Sequence, residues 1–346
     1  MLQAVELATR TVRLEMYIFE PAGPGQDFLL ALVDAAQRGV RVQVLLDALG
    51  SPAATPEFWH ALRAAGGEVR HFHPGMSHRM LVRDHRKVLI CDEQRAFVVG
   101  FNIAPEYDGD GVESGWRDGG LALAGPAAAP LAALFDEQWT AAPAPGPRLV
   151  RLRRRGPARP RAGDDRLQIL PVVPGRGESC LTRALFADLA TAREVVLVTP
   201  YFLPSTRLRR AIRRVRRRGG RVRLILPAQS DVPLARLAAR RLYAGLLRAR
   251  VEIAEYLPRI LHAKILLIDD VVYLGSSNLD QRSLHLNYEI MLRVAHPELV
   301  LRVRAEVQDL LERSHPVDRR DWAASRSGWE RAREFLAFTL LYRVDP

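Results

Sequence analysis

Short apolar runs, bounded by polar and turn residues, recur along this chain, and the segments between them carry apolar positions at helical spacing. Residues 1–10 read as a helix, Val12–Phe19 as a buried strand, Gln26–Gly39 as an amphipathic helix ending at its glycine, and Val40–Asp47 as a second buried strand. A helix over Pro56–Ala65 stops at Gly66-Gly67, and Glu68–Phe72 is a short strand entering a His-rich loop. Strands that are apolar throughout are covered on both faces, so the pattern predicts an α/β fold: a mixed, largely parallel sheet flanked by helices.

The same order then returns. Val195–Pro204 answers Val12–Pro21, the strand Gly220–Leu226 answers Val40–Leu46, and Val251–Pro258 answers Val69–Pro74. Two copies predict a duplicated pair of domains related by a pseudo-twofold axis, not a solenoid. The expected boundaries are a first domain over 1–140, a Pro/Arg-rich linker over 141–165, a second domain over 166–313 and a basic, aromatic extension over 314–346. A strand at Leu167–Val173 with the loop Pro174–Ser179 has no counterpart in the first copy, which reads as a start lying upstream or a lost edge strand. In the extension, Trp329, Phe335, Leu336, Phe338, Leu340, Leu341 and Tyr342 mix with Arg326, Arg331, Arg333 and Arg343, the make-up of an interfacial amphipathic helix.

Charge narrows the partners. A net charge of +12 implies an anionic partner, whether a lipid surface, nucleic acid or a phosphate-bearing substrate. Arg151, Arg153, Arg154 and Arg155 in the linker and the basic face over Arg207–Arg218 are the densest cationic stretches. No apolar run reaches the roughly 18 to 20 residues of a membrane span, and no signal peptide opens the chain. These features predict a cytoplasmic protein held peripherally at a membrane. Cys91 and Cys180 lack metal spacing and suit a reducing compartment. Oligomeric state is not legible.

Lysine usage points to the chemistry. Of 51 basic residues only Lys87 and Lys264 are lysines. A chain that writes arginine wherever charge is wanted keeps lysine where a compact ammonium works and a planar guanidinium does not. Both sit in the same context, His85-Arg86-Lys87 with Asp92 and His262-Ala263-Lys264 with Asp269, followed by Gly100-Phe101-Asn102 and Gly275-Ser276-Ser277-Asn278. His and Lys two apart on a strand share a face. Two copies of one motif predict one paired site.

With its two HxKxxxxD motifs the chain resembles the phospholipase D superfamily and, within it, the bacterial cardiolipin synthases, from Leu14–Phe19 through Asn287-Tyr288-Glu289. The likeness departs at Val99–Asn102, and the second copy is one residue shorter between Asp269 and Asn278 than the first between Asp92 and Asn102. A phosphodiester is an anionic, weak electrophile, so its cleavage needs a nucleophile, a proton donor and cations for its oxygens; two histidines divide the first two tasks. The catalytic set expected is His85, Lys87, Asp92, His262, Lys264 and Asp269, with Asn102 and Asn278 binding phosphate. Asp92 and Asp269 stand at strand-to-turn junctions, which predicts backbone capping by an Asx-type turn. The resemblance implies His85 as nucleophile, His262 as general acid, and Asp118 and Glu289 as the groups that orient the histidines, with no metal or other cofactor.

The function expected is transfer of a phosphatidyl group from phosphatidylglycerol to a second phospholipid through a phosphohistidine, at a peripheral membrane surface. Hydrolysis to phosphatidic acid and cleavage of nucleic acid are the alternatives. Nucleic acid is disfavoured because aromatic residues are 7% of the chain and do not cluster as stacking platforms. His71, His73 and His78 lack an acidic or cysteine partner and read as a solvated loop; His60, His285, His296 and His315 show no partner pattern.

Overall fold

In the computed structural model, residues 1–72, 82–142, 166–175 and 177–344 are described. His73 and His78, Arg176 and the linker arginines Arg151, Arg153, Arg154 and Arg155 lie outside the described residues. The opening helix is shorter than residues 1–10: α1 spans Leu2–Glu6, because the backbone amides of Thr9, Arg10 and Thr11 donate to the Asp92 carboxylate and pull the chain into β1 (Thr11–Met16). Then follow α2 (Pro24–Gln37), β2 (Arg41–Asp47), α3 (His60–Ala64), β3 (Glu68–Phe72), β4 (Val88–Cys91), β5 (Arg95–Val99), β6 (Gly120–Ala124) and α4 (Ala129–Ala141).

The second copy begins with β7 (Leu167–Val172) and α5 (Cys180–Thr191). It continues through β8 (Glu194–Val198), α6 (Thr206–Arg217), β9 (Arg221–Pro227), α7 (Pro233–Arg248), β10 (Glu252–Tyr256), β11 (Ile265–Ile268) and β12 (Val271–Gly275). It closes with α8 (Gln281–His285), β13 (Glu289–Val294), α9 (Pro297–Glu312), β14 (Ser314–Pro316), α10 (Arg319–Ala324) and α11 (Gly328–Val344).

Strand order confirms the duplication. The first sheet runs β3-β2-β1-β4-β5-β6, and β10-β9-β8-β11-β12-β13 reproduces it inside the second, which adds β14 at one edge and β7 at the other. Both sheets are mixed. Parallel pairing is confined to β1–β3 and to β8–β10, where helices cross over, while β4, β5 and β6 and their counterparts pair antiparallel, β4 with β5 and β11 with β12 through short turns. The one-residue difference between the copies sits in the β-hairpin turn directly after the motif strand. Residues 92–94 connect β4 to β5 and residues 269–270 connect β11 to β12, with Asp92, Glu93 and Asp269 in the left-handed region.

Each strand divides its side chains between two cores. Val12, Leu14 and Met16 join Leu89 and Cys91 against α1–α3, while Val88 and Ile90 turn to the opposite face with α4 and meet Ile290 and Leu292 of the second sheet. In the second copy Val195 and Leu197 face α5–α7, and Val196 and Val198 face α9. Burial on this scale supplies the main drive for folding.

The two motif carboxylates end these strands and tie the sheets at their beginnings. Asp269 accepts from the amides of Arg193 (3.0 Å) and Glu194 (2.8 Å), as Asp92 does from Thr9 (2.9 Å), Arg10 (2.8 Å) and Thr11 (2.9 Å). The capped donors therefore belong to the strand-entry segments of β1 and β8, not to the carboxylates' own turns. Burial works to raise the Asp92 carboxyl, but these amides outweigh it and hold the group below the usual carboxylate range. Asp92→Ala and Asp269→Ala are each expected to lower stability by about 1–2 kcal/mol, the scale of charge-assisted bonds discounted for solvent contact. In urea unfolding monitored by circular dichroism, an unchanged midpoint for both variants would count against the capping role.

Candidate active site

The two histidines precede β4 and β11, and backbone pairing sets where they point. Asp84 bridges to Tyr288 and Leu261 bridges to Arg117, so the loop carrying each histidine is zipped to the segment carrying an acid of the other half. The His85 amide donates to the Tyr288 carbonyl (3.0 Å), and the His262 amide donates to the Arg117 carbonyl (2.7 Å). The next residue in each acceptor segment is the acid. His85 Nδ1 lies 2.9 Å from Glu289 Oε1, and His262 Nδ1 lies 2.5 Å from Asp118 Oδ2. Carboxylates and histidines are thus crossed between the copies, and each leaves an imidazole Nε2 directed away from its acid.

Small residues after the motif strands make room for this. A Cβ at Gly100 would stand 2.3 Å from Asp118 Oδ1, so only glycine lets that carboxylate reach His262. The equivalent position in the second copy is Ser276, whose hydroxyl donates to Glu289 Oε2. Gly275 has a φ of +153°, and a Cβ there would meet the Ile290 carbonyl at 2.2 Å.

Lys87 and Lys264 are 0% and 2% exposed, and they lie beneath the histidines. Lys87 Nζ donates to the His85 carbonyl (3.0 Å) and stands 5.1 Å from the Tyr17 ring centre; Lys264 Nζ donates to the Gly100 carbonyl (3.2 Å) and to Asp118 Oδ2 (3.3 Å). Asn102 donates to the Tyr107 hydroxyl (2.8 Å) and accepts from the Ile18 amide (3.2 Å). Asn278 keeps a buried side-chain oxygen with no hydrogen-bond partner among the described residues.

Burial governs ionisation here. Burial, then the ammonium of Lys87, pushes His85 well below the ordinary imidazole range, and burial with Lys264 takes His262 down to about 4. Burial likewise lowers Lys87 to about 7 and raises Glu289 to about 8, each opposed by the other's charge. Burial also works to raise the Asp118 carboxyl, but Lys264 and His262 outweigh it and keep the group below the usual carboxylate range. The result is two neutral imidazoles over two lysines whose charged forms burial disfavours, with the Asp118 carboxylate beside Lys264.

His85, His262, Asn102 and Asn278 border one cavity of about 560 Å³. Sequence reasoning missed most of the rest of its wall. Tyr17 packs 4.7 Å from His85, and Tyr107, Trp116 and Tyr201 lie 5.3, 5.6 and 6.2 Å from His262 (ring centres). Arg83 and Arg282 add cations, and Leu341 of α11 closes one side. Tyr17 and Tyr201 both fall in the repeated stretches Val12–Pro21 and Val195–Pro204, but that alignment sets Tyr17 against Pro200 and Tyr201 against Ile18, so the repeat does not pair them; Tyr107 and Trp116 carry no repeat signal.

The family description "Cardiolipin synthase, PLD-like domain" matches residues 1–115 and 185–311. Cardiolipin synthase B of Escherichia coli strain K12 and that of Shigella flexneri are each 33% identical to the chain, over 98% of this chain and 84% of the relative. A cardiolipin synthase of a Geobacillus species is 30% identical over 91% of this chain and 64% of its own length. Among solved structures, phosphatidylserine synthase of Haemophilus influenzae superposes with a TM-score of 0.76 over 99% of this chain and 90% of its own, at 15% identity, which is a likeness of fold.

Proposed function

We propose a specific reaction from the premise that the chain belongs to the cardiolipin synthase, phospholipase D-like family. Membership makes it an enzyme of the phospholipase D type, a phosphatidyltransferase acting on phospholipid. The finer reading is transfer of a phosphatidyl group from phosphatidylglycerol to a hydroxyl of a second phosphatidylglycerol, giving cardiolipin and glycerol. The observation that carries it is the crossed pair: two imidazoles on one cavity, each held at Nδ1 by a carboxylate of the opposite copy.

In the first half-reaction His85 Nε2 attacks phosphorus, the bond from phosphorus to the glycerol oxygen breaks, and the departing alkoxide takes a proton from the His262 imidazolium. In the second, His262 takes the proton of the acceptor hydroxyl as that oxygen displaces His85 from phosphorus. The assignment of nucleophile to His85 follows the family resemblance; the crossed geometry serves either order. Lys87, Lys264, Asn102 and Asn278 stabilise the non-bridging oxygens, and Glu289 and Asp118 orient the imidazoles. Because burial and Lys264 favour the neutral form of His262, the phosphodiester anion has a further task. By offsetting the lysine charges it lets His262 take up the proton that the leaving group needs.

Lipid as substrate is supported by the cavity's aromatic and aliphatic wall, Trp116, Tyr201, Leu203 and Leu341 among it, and by the cationic chain as a whole. No helix among the described residues is long and apolar enough to cross a membrane, so the reading includes attachment at the bilayer surface. α11 supports that attachment: one side packs on α7, burying Ala337, while Trp329, Phe335, Leu336 and Leu340 stay exposed. Mass spectrometry of the products formed from phosphatidylglycerol vesicles in EDTA tests the reading. Cardiolipin and glycerol are the expected products, whereas phosphatidic acid without cardiolipin would make the protein a hydrolase.

A further inference from the structure

A second cavity, of about 480 Å³, opens between α7, α10 and α11, outside the catalytic site. Arg240, Arg241, Arg248, Arg319, Arg326 and Arg331 border it, and among its described lining residues Glu334 is the one acid. Glu334 is shared by Arg326 and Arg240, the latter at 3.7 Å. Arg241, Arg248 and Arg319 make no ion pair among the described residues, so the cavity carries an uncompensated positive field.

The guanidinium groups are organised, not merely gathered. The Trp322 indole has Arg240 at 4.5 Å and Arg326 at 4.3 Å from its ring, which fixes both planes by cation–π contact. Arg326 is 9% exposed, and its Nε is buried with no hydrogen-bond partner among the described residues, a donor on the wall of the cavity. A buried donor without an acceptor is disfavoured unless something arrives to accept from it. Planar forks of this kind suit the oxygens of a phosphate ester.

The position indicates where that ester comes from. Val232 and Ala235 at the start of α7 border the catalytic cavity, and Arg240–Arg248 border this one; α11 runs the other way, with Leu341 at the catalytic cavity and Arg331 and Phe335 here. Ala235 and Arg240 are five residues apart on α7, so the two cavities are separated by about 7.5 Å along the helix. The exposed apolar residues of α11 stand beside both.

We propose that this arginine cavity is a second lipid site, which holds the phosphate headgroup of an anionic phospholipid that is not being turned over and so seats the catalytic cavity on an anionic bilayer. The choice of a lipid rests on the phosphatidyltransferase reading, but binding is measured without turnover, so the two fail separately. The test compares the intact protein with the double variant Arg241→Ala/Arg319→Ala, both exposed positions, in co-sedimentation with phosphatidylglycerol vesicles and with phosphatidylcholine vesicles. The expected result is a loss of about tenfold or more in affinity for phosphatidylglycerol vesicles, little change for phosphatidylcholine vesicles, and turnover of monomeric short-chain phosphatidylglycerol within about twofold of the parent. An equal loss on both vesicles, or no loss on either, overturns the proposal. So does calorimetry in which inorganic phosphate binds the parent and not the variant while vesicle affinity stays the same, since the cavity then serves free phosphate.

Discussion

Replacing either His85 or His262 by alanine is expected to reduce phosphatidyl transfer by on the order of 10⁴-fold or more, with the double variant no worse than the poorer single one, because the two act as a unit. The fold should survive. Each imidazole borders a cavity, and the surrounding sheets are held by apolar burial on both faces of β4 and β11. The two variants should separate on a substrate with a good leaving group. An aryl phosphodiester leaves as a stable phenolate and needs little protonation, so His262→Ala should recover much of its activity on it, whereas His85→Ala should stay inactive for want of a nucleophile. The reverse pattern would exchange the two roles, and near-normal lipid transfer by either variant would remove the two-histidine mechanism altogether.

How far the sequence disclosed this site differs from residue to residue. Strand order and the duplication were legible because each apolar run repeats with its flanking turn, so β1, β2 and β3 announce β8, β9 and β10. The motif residues were legible because the chain so rarely uses lysine. The crossing of Glu289 to His85 and Asp118 to His262 was not, since partners 204 and 144 residues apart leave no periodic trace and only the bridges at Tyr288 and Arg117 bring them together. The end of the chain was half legible. Aromatic and basic residues read as an interfacial helix, but apolar residues surround α11 so evenly that no period says which side rests on α7. The arginine cavity was hidden for the same reason: its members come from three helices and share no motif.

Replacement of the two orienting acids should be almost as damaging, and the pH dependence should tell them apart. In both Glu289→Gln and Asp118→Asn the amide offers Nδ1 a donor as readily as an acceptor, so part of the population holds the imidazole in the unreactive tautomer; a loss in kcat on the order of 10³-fold is expected for each. Glu289 is raised to about 8 and Lys87 lowered to about 7, each chiefly by burial, so the ionised carboxylate and the ammonium coexist most between those values. As pH falls through about 8 Glu289 becomes a neutral carboxyl and His85 loses its acceptor. As pH rises through about 7 Lys87 loses its proton and the phosphate loses an ammonium. The parent enzyme should therefore show a bell-shaped kcat/KM with its maximum between pH 7 and 8. Glu289→Gln removes the need for an ionised carboxylate, which is what lowers activity toward acid pH, so its residual activity should lose that limb. Asp118 is ionised throughout the neutral range, held down by Lys264 and His262, so Asp118→Asn should lower the whole profile without moving it. Profiles that fall in parallel for the two variants would reduce Glu289 to a structural group and shift the proton inventory of the site to the lysines.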